Sequence, residues 1–124
     1  APSVNEAARD AADQDFHRTI AAASNNAAIL FVIESLWKMR DEIAPVKAVY
    51  DSICSDDQIA VGREHDSILS ALRTRDPDAA RSAMREHFRR LLESMLDLTH
   101  RQAMEDLRRQ ADESRNRYLN SAKL

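Results

Sequence analysis

Residues 55–98 read SDDQIAVGREHDSILSALRTRDPDAARSAMREHFRRLLESMLDL, and the period of this stretch decides the fold. Val61, Ile68, Leu69 and Leu72 recur at helical intervals, as do Met84, Phe88, Leu91, Met95 and Leu98. Such spacing lays an apolar stripe along one side of a helix, whereas a half-buried strand alternates every second residue. Asp76-Pro77 separates the two runs. Aspartate accepts from the unpaired amides that open a helix, and proline suits the first turn, where its missing N–H is not needed. Ser55-Asp56-Asp57-Gln58 reads as a capping box, with Ser55 at the cap and Gln58 reaching back. The stretch is therefore a pair of helices joined by a short turn.

Working outward, the same period extends to both ends. A first helix is expected from Val4 to Ala23, with Phe16 and Ile20 one turn apart on its inner face. Ser24-Asn25-Asn26 interrupts it, because these side chains compete for backbone hydrogen bonds and favour caps. A second segment runs from Asn26 to about Ile53 through Ile29, Ile33, Leu36, Trp37 and Met39. Pro45 removes a backbone donor and predicts a break near Ile43-Ala44. After Ala79 neither Pro nor Gly occurs again. The last helix is therefore either unusually long or bent near Thr99, with a polar tail past Asp112 expected to fray. Four helical segments and no strand give an all-α fold, an antiparallel helical bundle.

Composition narrows the functional classes. At 124 residues, 44% apolar and 31% charged, the chain suits one soluble domain. A single Gly and few β-branched runs favour helices over sheets. The formal net charge of −3 argues against nucleic-acid binding by this chain alone, since phosphate contacts require a surplus of Lys and Arg. Cys54 is the lone cysteine, which excludes an internal disulfide and a thiolate metal cluster; it reads as a small apolar filler. The apolar stretch Ala27 to Ile33 is too short to span a bilayer, and Ala1-Pro2-Ser3 carries no signal segment. A cytoplasmic setting without membrane contact is expected.

The candidate chemistry lies in the histidines. Asp13 and His17, four apart, project from one face of the first helix. His65 aligns with Val61, Ile68 and Leu72, and His87 with Met84, Phe88 and Leu91. Three imidazoles and a carboxylate facing one core would form a donor set suited to zinc, nickel, iron or manganese. The same spacing also describes core histidines with one hydrogen-bond partner each and an ordinary Asp–His pair at the surface. Glu64 adjoins His65 but faces elsewhere on the helix, so no general base stands out beside the four. His100 is expected in solvent.

Three blocks of sequence carry a family resemblance. They are Asp13-x-x-Phe16-His17-x-x-Ile20 with Ala23-Ser24-Asn25-Asn26, then Glu64-His65-x-x-Ile68-x-x-Ala71-Leu72, then Arg75-Asp76-Pro77-Asp78-Ala79-Ala80 with Met84-x-x-His87. Together, from about Asp13 to Leu92, they resemble the FadR-type C-terminal (FCD) domains of GntR-family transcription regulators. The resemblance implies a helical bundle that senses a small molecule behind a winged-helix DNA-binding domain. It implies a divalent metal on Asp13, His17, His65 and His87, with zinc ahead of nickel, manganese and iron. It also implies a small carboxylic-acid effector, whose oxygens would fill open coordination positions, and a homodimer. Arg40 is a candidate to pair with a second carboxylate of the effector, although a solvent position is its ordinary alternative; Arg9 is a similar candidate. Gly62, three residues before His65, is a candidate to leave room for the ligand. Two departures stand out: no winged-helix segment is present, and only twelve residues precede Asp13, so the bundle is expected to lack its first helices. The competing classes are a metal-dependent enzyme and a dimerisation bundle with a structural metal.

Overall fold

The computed structural model describes residues 4–123, apart from the side chains of Val4, Ser55 and Asp56. Among the described residues there are five helices and no strand: α1 (Val4–Ala23), α2 (Ala27–Glu42), α3 (Ala44–Asp56), α4 (Gln58–Arg73) and α5 (Pro77–Ser121). The fold is all-α, as the periodicity predicts. No helix among the described residues is long and apolar enough to cross a membrane. The chain divides into two compact units, residues 1–48 and 49–124.

In the first unit α1 and α2 form an antiparallel hairpin around the predicted break. Ser24 Oγ donates to the Ala21 carbonyl at 2.6 Å and closes α1. Asn25 takes a left-handed conformation with φ of 53°, which asparagine tolerates better than most residues. Asn26 caps α2, its Oδ1 accepting from Ala28 N at 3.0 Å and Ile29 N at 3.4 Å. The break expected at Pro45 falls at Ile43, which is extended, and α3 restarts at Ala44. Trp37 and Ala21 are buried, whereas Ile29, Val32, Leu36 and Met39 on α2 are 45–54% exposed.

In the second unit α4 and α5 form another antiparallel hairpin. Asp76 Oδ1 accepts from Asp78 N at 3.1 Å and Ala79 N at 2.9 Å, with Pro77 in the first turn, as read from the sequence. Arg75 adopts the left-handed region at φ 55° without the help of a glycine. Ile68 is the most deeply buried large side chain, and Ile53 and Ala71 are buried in the same unit. Two expectations are corrected here. α3 continues through Asp56, so the cap of α4 is Asp57, whose Oδ1 accepts from Ala60 N at 3.3 Å. Gln58 is then the first residue of α4 and cannot close a capping box; the side chain of Ser55 lies outside the described residues, as do Ala1-Pro2-Ser3. The tail past Asp112 does not fray but stays helical to Ser121, and α5 passes Thr99 as one long helix.

Candidate metal centre

Each hairpin brings one pair of the predicted donors together. In the first unit His17 Nε2 lies 3.6 Å from Asp13 Oδ1. That is too long for a good hydrogen bond. It is close to the separation of two ligands on one ion: atoms about 2.1 Å from a metal, at right-angled to tetrahedral separation, lie roughly 3.0–3.4 Å apart. His17 is buried. Its ring meets Phe16 edge-on at 5.4 Å and lies 6.1 Å from the Trp37 ring across the hairpin.

Arg40 is placed differently from a solvent-facing cation. It is only 7% exposed and sits inside the α1–α2 hairpin. Its guanidinium lies 4.0 Å over the Trp37 ring. The same group reaches Asp10 at 3.3 Å and Asp13 at 3.9 Å. Asp13 therefore stands between an imidazole and a guanidinium, and Arg40 orients the carboxylate from behind. Lys47 adds a second cation, 3.8 Å from Asp10. Arg9 is exposed and donates to the Asn5 carbonyl of its own helix.

The second unit holds the other pair. The rings of His65 and His87 have centroids 4.9 Å apart, tilted by 57°. Two imidazoles on one ion, each with its centroid about 3.2 Å from the metal, have centroids roughly 4.5–5.2 Å apart. His87 is 4% exposed. Its Nδ1 lies 2.7 Å from Glu64 Oε2.

Glu64 is the residue the sequence reading missed. It was expected to face away, yet it crosses from α4 to His87 on α5. Its other oxygen accepts from Arg90 Nε, and Arg90 also reaches Asp57 at 3.5 Å. The hydrogen bond to Glu64 holds the Arg90 guanidinium still further toward its charged form, with burial opposing. Both Glu64 oxygens are thus engaged, which leaves neither turned toward a substrate as a general base. A signal for this was present: Glu64 stands three residues after Val61 and four before Ile68, on the buried stripe.

The remaining positions are simpler. Gly62 is exposed on α4, and a Cβ there would meet nothing within 4 Å. His100 is exposed, as expected. A cleft of about 160 Å³ in the second unit is lined by Ser52, Asp57, Arg90, Ser94, Asp97 and Arg101, among others. Its two cations and two carboxylates cancel, so it presents no net charge to an acid.

The family pattern of the FCD domain matches residues 1–90, which include both donor pairs. The chain belongs to the FCD domain family. This FCD chain is 35% identical over 75 residues to the Exu regulon transcriptional regulator of Escherichia coli strain K12, a match covering 60% of the chain and 29% of that protein. It is 29% identical over 89 residues to the Uxu operon regulator of Haemophilus influenzae, covering 71% and 34% respectively. The chain thus spans about a third of the length of these relatives. No solved structure gives a significant match. The matched relatives are transcriptional regulators by name, and the remainder of α5 lies beyond the family match.

Proposed function

We propose that this FCD domain is the sensor of a GntR-family transcription regulator, and that Asp13, His17, His65 and His87 jointly hold one divalent ion. The observation that carries this reading is that each hairpin turns two donor side chains toward each other at or close to ligand–ligand separation. Neither pair alone makes an adequate site for a transition metal, and the two pairs together supply three nitrogens and one oxygen. Zinc is the first candidate, ahead of nickel, manganese and iron. An ion of coordination number five or six keeps positions open, and the oxygens of a small carboxylic acid would fill them. Burying a bare carboxylate in an apolar interior is costly, and the ion's charge offsets that cost.

Arg40, held by Trp37, Asp10, Asp13 and Asp41, orients Asp13 and is the candidate to pair with a second carboxylate of the effector. Gly62 leaves open space on α4 for the ligand. Binding that favours one arrangement of the helices would shift the population of an attached winged-helix domain and so its grip on DNA. The protein acts as a regulator in the cytoplasm and not as an enzyme, a reading supported by the names of its relatives and by the full engagement of Glu64. The exposed residues Ile29, Val32, Leu36 and Met39 recur three and four apart on α2 and support pairing with a second copy of the chain. Calorimetry with a panel of small hydroxy and keto acids tests the sensor reading. Binding to the metal-loaded protein that weakens at least about tenfold, roughly 1.4 kcal/mol, after chelation is the expected result. Unchanged affinity in a chelated, folded protein would reduce the metal to a structural clamp.

A further inference from the structure

We propose that Glu64, clamped by Arg90, is a positioning residue that fixes the tautomer of His87 and thereby aims its Nε2 as a metal donor. The inference rests on the metal reading above. An ionised carboxylate can only accept hydrogen bonds, so the ring nitrogen facing Glu64 Oε2 must carry the proton. That nitrogen is Nδ1, at 2.7 Å, a distance typical of a charge-assisted bond. The lone pair is then left on Nε2, the arrangement by which a carboxylate behind a ligating histidine sets both its orientation and its basicity. A free histidine side chain prefers the opposite tautomer, with hydrogen on Nε2, so the neighbour decides the outcome.

The geometry leaves Glu64 little alternative. Its side chain is 15% exposed and that of His87 is 5% exposed, so water competes weakly for the bond. Arg90 Nε holds Oε1, and Arg90 Nη1 is braced in turn by Asp57, the cap of α4. Oε2 is therefore the oxygen left for the imidazole. Arg90 acts through Glu64, and Glu64 through His87.

The substitution that separates this role from mere packing is Glu64→Gln, which keeps size and shape. Arg90 would take the amide oxygen, and the amide nitrogen would then face Nδ1 as a donor, favouring the form with hydrogen on Nε2. Long-range ¹H–¹⁵N spectra of the metal-free full chain read the tautomer directly. The wild type should show His87 protonated on Nδ1, and Glu64→Gln should show it protonated on Nε2, with an unchanged helical signal. Zinc affinity should fall about 10- to 100-fold in the same variant. A wild-type His87 protonated on Nε2 overturns the proposal without any variant. Zinc bound with equal affinity by wild type and Glu64→Gln overturns the positioning role alone. A wild type that binds no zinc overturns the metal reading, and with it the purpose assigned to Glu64.

Discussion

Replacing Arg40 by alanine is the sharpest test of how the first hairpin is held together. Its guanidinium is 7% exposed and stacks 4.0 Å over Trp37, a contact of about 1 kcal/mol when partly desolvated. The side chains of Asp10, Asp13 and Asp41 are 37%, 17% and 49% exposed, so hydration screens all three pairs and each contributes at most about 1 kcal/mol. Without the cation Asp10 and Asp13, one turn apart on α1, are left to repel each other. We expect a loss of about 2–3 kcal/mol, measured as a shift in urea midpoint at constant slope by circular dichroism. Arg40→Lys restores charge but not the planar fork, and should recover no more than about half of that loss. Zinc should shrink the deficit of Arg40→Ala, because an ion on Asp13 replaces part of the missing positive charge. A loss below about 0.5 kcal/mol would show that the buried contacts around Arg40 do not hold the hairpin.

The other expectations can be checked with ordinary methods. Gly62→Leu should preserve helicity and metal content, since its Cβ meets nothing within 4 Å, but should weaken acid binding; unaltered calorimetric affinity would remove Gly62 from the ligand site. Arg75→Gly should stabilise the α4–α5 hairpin by up to about 1 kcal/mol, because Arg75 holds a positive φ that glycine adopts freely; a lower thermal midpoint would contradict this. Leu36→Lys combined with Met39→Lys, both on the exposed stripe of α2, should convert the proposed dimer to monomer in sedimentation; a mass equal to that of the parent chain would contradict pairing through this stripe.

Much of this molecule is legible in its residues, and the exceptions have physical causes. Asn26 and Asp76 cap their helices where the side-chain chemistry says they should, since a cap depends only on local groups. α4 starts two residues later than the capping pattern predicts because α3 continues through Asp56, and the local pattern does not register the preceding helix. The pairing of Asp13 with His17 follows from a spacing of four, and that of His65 with His87 from two apolar stripes meeting. Arg40 and Glu64 were harder because apolar periodicity treats charge as a mark of the solvent face. Trp37 three residues before Arg40, and two aspartates on the facing helix, together make burial of that cation tolerable. Glu64 is buried for a related reason: Arg90 and His87 engage its two oxygens from another helix, a pairing that no window within α4 displays.

The central proposal is that Asp13, His17, His65 and His87 hold one divalent ion, and metal stoichiometry tests it most directly. Native mass spectrometry of the protein loaded with zinc, alongside His17→Ala, His87→Ala and His100→Ala, counts the ions per chain. The account predicts one ion in the wild type, its loss on substitution of either His17 or His87, and its retention in His100→Ala. Two ions in the wild type, or one that survives substitution of either His17 or His87, would contradict it.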